Sequence, residues 1–262
     1  MARTCIFCGG RAGSREHIFP DWINRVFERL PAPDVEEPAQ WGRGTIDLEA
    51  GTEAHHKWTG DAEAPASEVT SSVCHDCNAG WMSKLEGRSA PLLAPMIEGY
   101  PTHLTMSDQI TVATWTAKTA IVLESTLGGG RQFRPDQRRH VMDHDSPPGL
   151  LRIMAAAVEG QIPPLGYRCV RAHIPNDGLT PFDLHIYTLQ VHLLVLQILR
   201  PDPPPPNYGA LKTLAVPRDI EIPVFPPTDG FFWPPEKSFD TDGLSRYGAR
   251  VVSGPLPWEA PY

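Results

Sequence analysis

Cys5-Ile6-Phe7-Cys8-Gly9-Gly10 and, after 65 intervening residues, Cys74-His75-Asp76-Cys77-Asn78 are the two stretches on which the reading of this chain turns. Each is a C-x2-C pair, and two such pairs supply the four thiolates of a tetrahedral zinc site, because each knuckle turn directs two sulfurs at one ion. The separation exceeds that of a zinc ribbon, so the ion would tie two distant pieces of chain together. A redox dithiol needs a single C-x-x-C at a helix start within a thioredoxin-like pattern. A structural disulfide belongs to oxidising compartments. Structural zinc on Cys5, Cys8, Cys74 and Cys77 is the expectation. The fifth cysteine, Cys169, lies mid-strand between Arg168 and Val170 and reads as a small buried hydrophobe.

What stands beside each pair carries the chemistry. Glu16-His17-Ile18-Phe19-Pro20 follows the first, and Asn78 directly follows the second, opening Asn78-Ala79-Gly80-Trp81-Met82-Ser83-Lys84-Leu85-Glu86. Adjacent residues of a strand point to opposite faces, so Glu16 and His17 serve one point only at a bend or where a helix closes over one side. Asn78 falls in the first turn of the helix opened by Cys74–Cys77. With zinc drawing the pairs together, a carboxylate, an amide oxygen and an imidazole converge. Oxygen donors suit a hard divalent cation, and a neutral imidazole accepts a proton from water near neutral pH.

The arrangement C-x2-C, E-H-I-F-P, C-x2-C-N resembles the zinc-containing branch of the HNH (ββα-metal) endonucleases. The likeness spans residue 5 to about residue 90. It implies His17 as the general base that activates water, Glu16 and Asn78 as ligands of a catalytic Mg²⁺ or Mn²⁺, and the four cysteines as structural zinc ligands. It also implies hydrolysis of DNA phosphodiester bonds, leaving 5′-phosphate and 3′-hydroxyl ends. RNA stays open as a substrate, and a homodimer would account for double-strand cuts. The chain departs from the family pattern in the 61-residue span from His17 to Asn78 and in offering no middle Asn. The alternative is a zinc-stapled nucleic-acid- or protein-binding module without cleavage.

Further out, the 262 residues carry 41% hydrophobic and 21% charged side chains, a globular composition with room for one large domain or two ordinary ones. The net charge of −8 lacks the basic footprint of a general nucleic-acid binder. Its distribution matters more than its sum. Residues 31–73 hold nine Asp/Glu against Arg43 and Lys57, whereas residues 1–30 carry five Arg against three acids. No 18-residue apolar run and no leader-like start occurs, so the expectation is a cytoplasmic protein with no membrane partner.

The expected fold is α+β. Residues 1–100 form an HNH-like zinc-stapled module with an acidic insertion at about 31–66, containing short strands at 43–49 and 54–59. Residues 101–262 form an α+β domain with an antiparallel sheet and a proline-rich end, and offer no recognisable chemistry. Helices are expected at 21–30 (stopped by Pro31 and Pro33), from the second cysteine pair to about 89, at 107–127 with Ser107-Asp108 as cap, and near 135–142. Strands are expected at 68–73, 150–158, 166–174, 183–190, 192–200 and 219–224. His55 and His56 read as loop histidines, Lys84 and Arg88 as a solvated helix face, and Trp22 and Trp81 as core. His75 is a remote substitute for a cysteine ligand.

Overall fold

The computed structural model describes residues 3–30, 40–47, 52–59, 69–126, 132–160, 163–174, 182–202 and 219–247. For 40–47 and 52–59 it describes the backbone only, so the side chains of His55 and His56 lie outside the described residues.

The N-terminal segment makes a knuckle at Cys5–Gly10, closed by Cys5 N donating to Gly10 O at 2.7 Å and Gly9 N to Cys5 O at 3.0 Å. Gly9 sits at φ +78°, which a side chain would strain. Strand β1 (Glu16–His17) follows, then α1 (Asp21–Phe27). The expected helix to Leu30 ends three residues sooner because Arg29 and Leu30 donate to Val26 and Phe27, an i→i−3 pattern that tightens the last turn.

Strands β2 (Gln40–Asp47) and β3 (Thr52–Thr59) form a hairpin. Strand β4 (Val69–Thr70) pairs antiparallel with β1, and α2 (His75–Cys77) starts the long helix. A π-type turn over Asn78–Met82, with Gly80 outside helical geometry, leads into α3 (Ser83–Ile97). The helix runs well past Ser89 although Pro91 and Pro95 each remove a backbone donor. Burial of Leu85, Leu93, Met96 and Ile97 outweighs that loss.

After β5 (Thr102–Leu104) comes α4 (Met106–Thr126). Its cap is Thr105 with Asp108 in place of the expected Ser107-Asp108: Thr105 N donates to Asp108 Oδ2 at 3.0 Å and Asp108 N to Thr105 Oγ1 at 3.3 Å. Every residue from Val112 to Glu124 is buried. Helix α5 (Pro135–His144) precedes β6 (Arg152–Val158), β7 (Leu165–Ile174), β8 (Phe182–Val191) and β9 (Leu194–Asp202). The described residues close with β10 (Glu221–Phe225), β11 (Phe231–Trp233), β12 (Ser238–Phe239) and α6 (Thr241–Tyr247).

The main sheet runs β10-β6-β9-β8-β7-β2-β3, with β12 on β6. Its centre is antiparallel, as expected, and β2 joins it parallel to β7 from Gln40↔Gly166 to Asp47↔His173. The acidic stretch therefore leaves the zinc segment and extends the sheet of the C-terminal part. Helix α4 lies against β8, β9 and β10. Strand alternation splits the packing: Ile153 and Ala155 enter the main core, while Ala156 and Val158 enter a smaller one with Val195, Phe239 and Tyr247. The main core continues from Cys5 through α3 and α4 to Trp233 without a break at residue 100. Among the described residues no helix is long and apolar enough to cross a membrane.

Candidate metal centre

Zinc ligation is a matter of where four sulfurs fall. The Sγ atoms of Cys5, Cys8, Cys74 and Cys77 all lie within 4.8 Å of one another, and Cys8 and Cys74 are 3.5 Å apart. Zn–S bonds of 2.3 Å at tetrahedral angles put sulfurs about 3.8 Å apart, so the cluster has the dimensions and chemistry for zinc. Among the described residues it is the only group of three or more His, Cys, Asp or Glu placed to hold an ion.

The backbone brings the halves together. Ile6 N donates to Ser72 O at 3.0 Å, and Gly13 N and Ser14 N both donate to Val73 O, at 3.1 and 3.0 Å. Two sulfurs accept amide protons: Gly10 N reaches Cys8 Sγ, and Cys77 N reaches Cys74 Sγ, each at 3.4 Å.

The thiols are not equivalent. Burial pushes Cys5 up, but the backbone N–H groups of Cys8, Cys74 and Phe7 outweigh it and bring it down to about 7. Burial holds Cys74 up. At Cys77, burial and the Cys74 thiol push up against the Trp81 indole, with the upward effect winning. One thiolate at Cys5 thus forms readily, while Cys74 and Cys77 resist ionising beside it. A dication removes that resistance, so metal binding releases protons.

The other expected residues part company. β1 turns Glu16 inward, at 4% exposure, and His17 outward to solvent. Asn78 is half-buried; its Nδ2 donates to Ser14 Oγ at 2.7 Å and to Arg15 O at 3.1 Å, so it touches the segment entering Glu16-His17. Glu16 Oε1 instead lies 3.5 Å from Nζ of Lys118, a fully buried residue of α4. Lys118 Nζ is 2.8 Å from Glu86 Oε1 on α3. Burial raises the Glu16 carboxyl above its ordinary value; Lys118 pulls the other way and Glu86 adds to the rise. Glu16 and His17 therefore face opposite sides of β1, and Asn78 is held to the segment leading into them. A divalent cation on Glu16 does not fit this arrangement, because the carboxylate already faces an ammonium.

His75, Lys84 and Arg88 are exposed, and Arg88 pairs with Asp145. Trp22 meets Trp115 at a tilt with ring centroids 6.2 Å apart, and Trp81 meets Phe7 edge-on at 5.0 Å, so both tryptophans pack against the core. Cys169 is buried. The sequence reading passed over Lys118 and Glu86. The available signal was a lysine in the middle of an apolar helix, since a charge in a buried helix requires a partner.

Fold and site together define an α+β protein whose N-terminal segments are clasped by four cysteines fit for zinc. The chain matches no protein-family model, no curated protein and no solved structure.

Proposed function

We propose that this chain is an HNH-type endonuclease acting on DNA, with His17 as general base. The observation that supports this is the bond from Asn78 to Ser14 and Arg15, which sets the head of the long helix beside the strand bearing His17. Strand β1 pairs with β4, which leads into α2, so two paired strands and a helix stand together although α1, β2 and β3 intervene along the chain. His17 is exposed, and so are Arg11 and Arg15 in the segment leading into it, so a polyanion has access to the imidazole and to cations of the same segment.

In the reaction, neutral His17 takes a proton from water while the water oxygen forms a bond to phosphorus. The bond from phosphorus to the 3′ oxygen breaks in line, and the leaving oxygen gains a proton from solvent. Zinc held by Cys5, Cys8, Cys74 and Cys77 would supply rigidity alone. Mg²⁺ or Mn²⁺, expected from the sequence resemblance, lacks a fitting ligand set at Glu16, and no step here depends on it. A homodimer would let two such sites cut both strands.

The second reading is a zinc-stapled binding module without cleavage. It draws on the closed Glu16–Lys118 pair and on the net charge of −8.

The experiment is nicking of supercoiled plasmid with Mg²⁺, Mn²⁺ or chelator, wild type beside His17→Ala, with zinc content measured in both. The variant is expected to keep its zinc and lose about 10² to 10⁴ in rate, the usual worth of a general base. A wild type inert toward supercoiled, linear and single-stranded substrates under every condition would leave the binding module standing.

A further inference from the structure

We propose that Lys118, and not a divalent cation, is the resident counter-charge of Glu16, making Lys118 the residue that positions β1. Three elements meet at its ammonium: β1 through Glu16, α3 through Glu86 and α4 through Lys118 itself. Lys118 has 0% exposure, Nζ being 2.8 Å from Glu86 Oε1 and 3.5 Å from Glu16 Oε1. An ammonium this deeply buried persists only when paired, and both acids are placed to pair with it.

The geometry also explains the division of labour along β1. Period-two alternation lets only one of Glu16 and His17 point inward. Lys118 draws Glu16 in, and His17 is thereby presented to solvent. A dication on the Glu16 carboxylate would meet the ammonium at close range, and like charges in a poorly solvated site repel strongly. The pairing stands apart from phosphodiester cleavage. Its catalytic consequence, that Lys118 presents His17, rests on the nuclease reading.

The test titrates Mn²⁺ into the zinc-loaded full chain and follows free Mn²⁺ by electron paramagnetic resonance. Wild type and Glu16→Gln are expected to take up Mn²⁺ identically. Lys118→Met, which strips the ammonium from two facing carboxylates, is expected to gain one site at least about tenfold tighter than any in wild type. That site should vanish in the double variant with Glu16→Gln, and Lys118→Arg, which keeps the charge, should not acquire it. A wild-type Mn²⁺ site that Glu16→Gln abolishes would overturn the inference. Should Lys118→Met fail to fold, the comparison of wild type with Glu16→Gln decides alone. No arm depends on cleavage: inert plasmid leaves the pairing intact, and Mn²⁺ on Glu16 leaves the nuclease intact.

Discussion

The zinc clasp and the β-sheet hold themselves together by different means. The segments carrying Cys5–Cys8 and Cys74–Cys77 have a two-residue strand pair, a single β-bridge between Thr4 and Arg11, and a few loop hydrogen bonds. Strands β7 and β8 share a ten-residue register, and β8 and β9 one of nine, with Tyr187, Leu189, Leu196 and Ile198 buried between sheet and helix. One region sets four thiols where a zinc ion would fix its shape, and the other rests on buried apolar surface. Lys118 stands where they meet. The contrast teaches that a continuous core need not mean a single source of stability.

The largest effect should follow loss of the metal. Cys77→Ser, or treatment of the wild type with a strong chelator, is expected to remove one zinc per chain and strip residues 3–30 and 69–82 of hydrogen-exchange protection. Structural zinc binding is worth about 10 to 16 kcal/mol in small modules, as much as the whole stability of a typical domain. Strands β7 and β8 should keep their protection. If their amides open in step with the knuckles, the two regions are one cooperative unit and the contrast fails.

The converse change comes next. Ile198→Ala empties a fully buried position of β9 whose cross-strand partners are Ile153 and Tyr187. It should cost about 2 to 5 kcal/mol in denaturant unfolding. Zinc content, measured on the folded variant, should stay at one per chain. A parallel loss of zinc would show that the clasp leans on the sheet.

The same contrast explains what was legible in the sequence. The zinc site was readable because ligation is local, two sulfurs per knuckle, and only the pairing of knuckles is long-range. Strands β6 to β10 were readable to within a few residues from apolar runs bounded by Gly and Pro. Two strands in the acidic stretch were also foreseen, but not their destination beside β7, because nothing within residues 40–59 encodes a parallel partner more than a hundred residues away. Helix α3 outran its expected end because packing of Leu93 and Met96 overrode the local signal of Pro91. The opposite facing of Glu16 and His17 followed from strand periodicity alone. The partner that draws Glu16 inward did not, since it depends on α4 crossing behind β1.

The finest effect concerns how the sheet side carries a buried acid. Glu124 accepts from Tyr187 Oη at 2.8 Å and from Phe133 N at 3.0 Å. Burial nevertheless raises its carboxyl above the ordinary 4.5, the hydrogen bonds from Phe133 and Tyr187 and the charge of Arg200 opposing the rise without cancelling it. The folded protein thus holds this proton to higher pH than the unfolded chain does. The resulting stability is complete below the unfolded value and is lost as pH rises through the folded one. Glu124→Gln keeps an acceptor for Phe133 N and cannot titrate. Between about pH 5 and pH 8, where the zinc stays bound, unfolding of both proteins should show the variant gaining on the wild type as pH rises. A difference that stays flat across that range would mean that Glu124 ionises in the fold as readily as in the open chain. Desolvation would then not govern this acid of α4, and the distinction drawn between an ion-held clasp and a burial-held sheet would lose its sharpest electrostatic support.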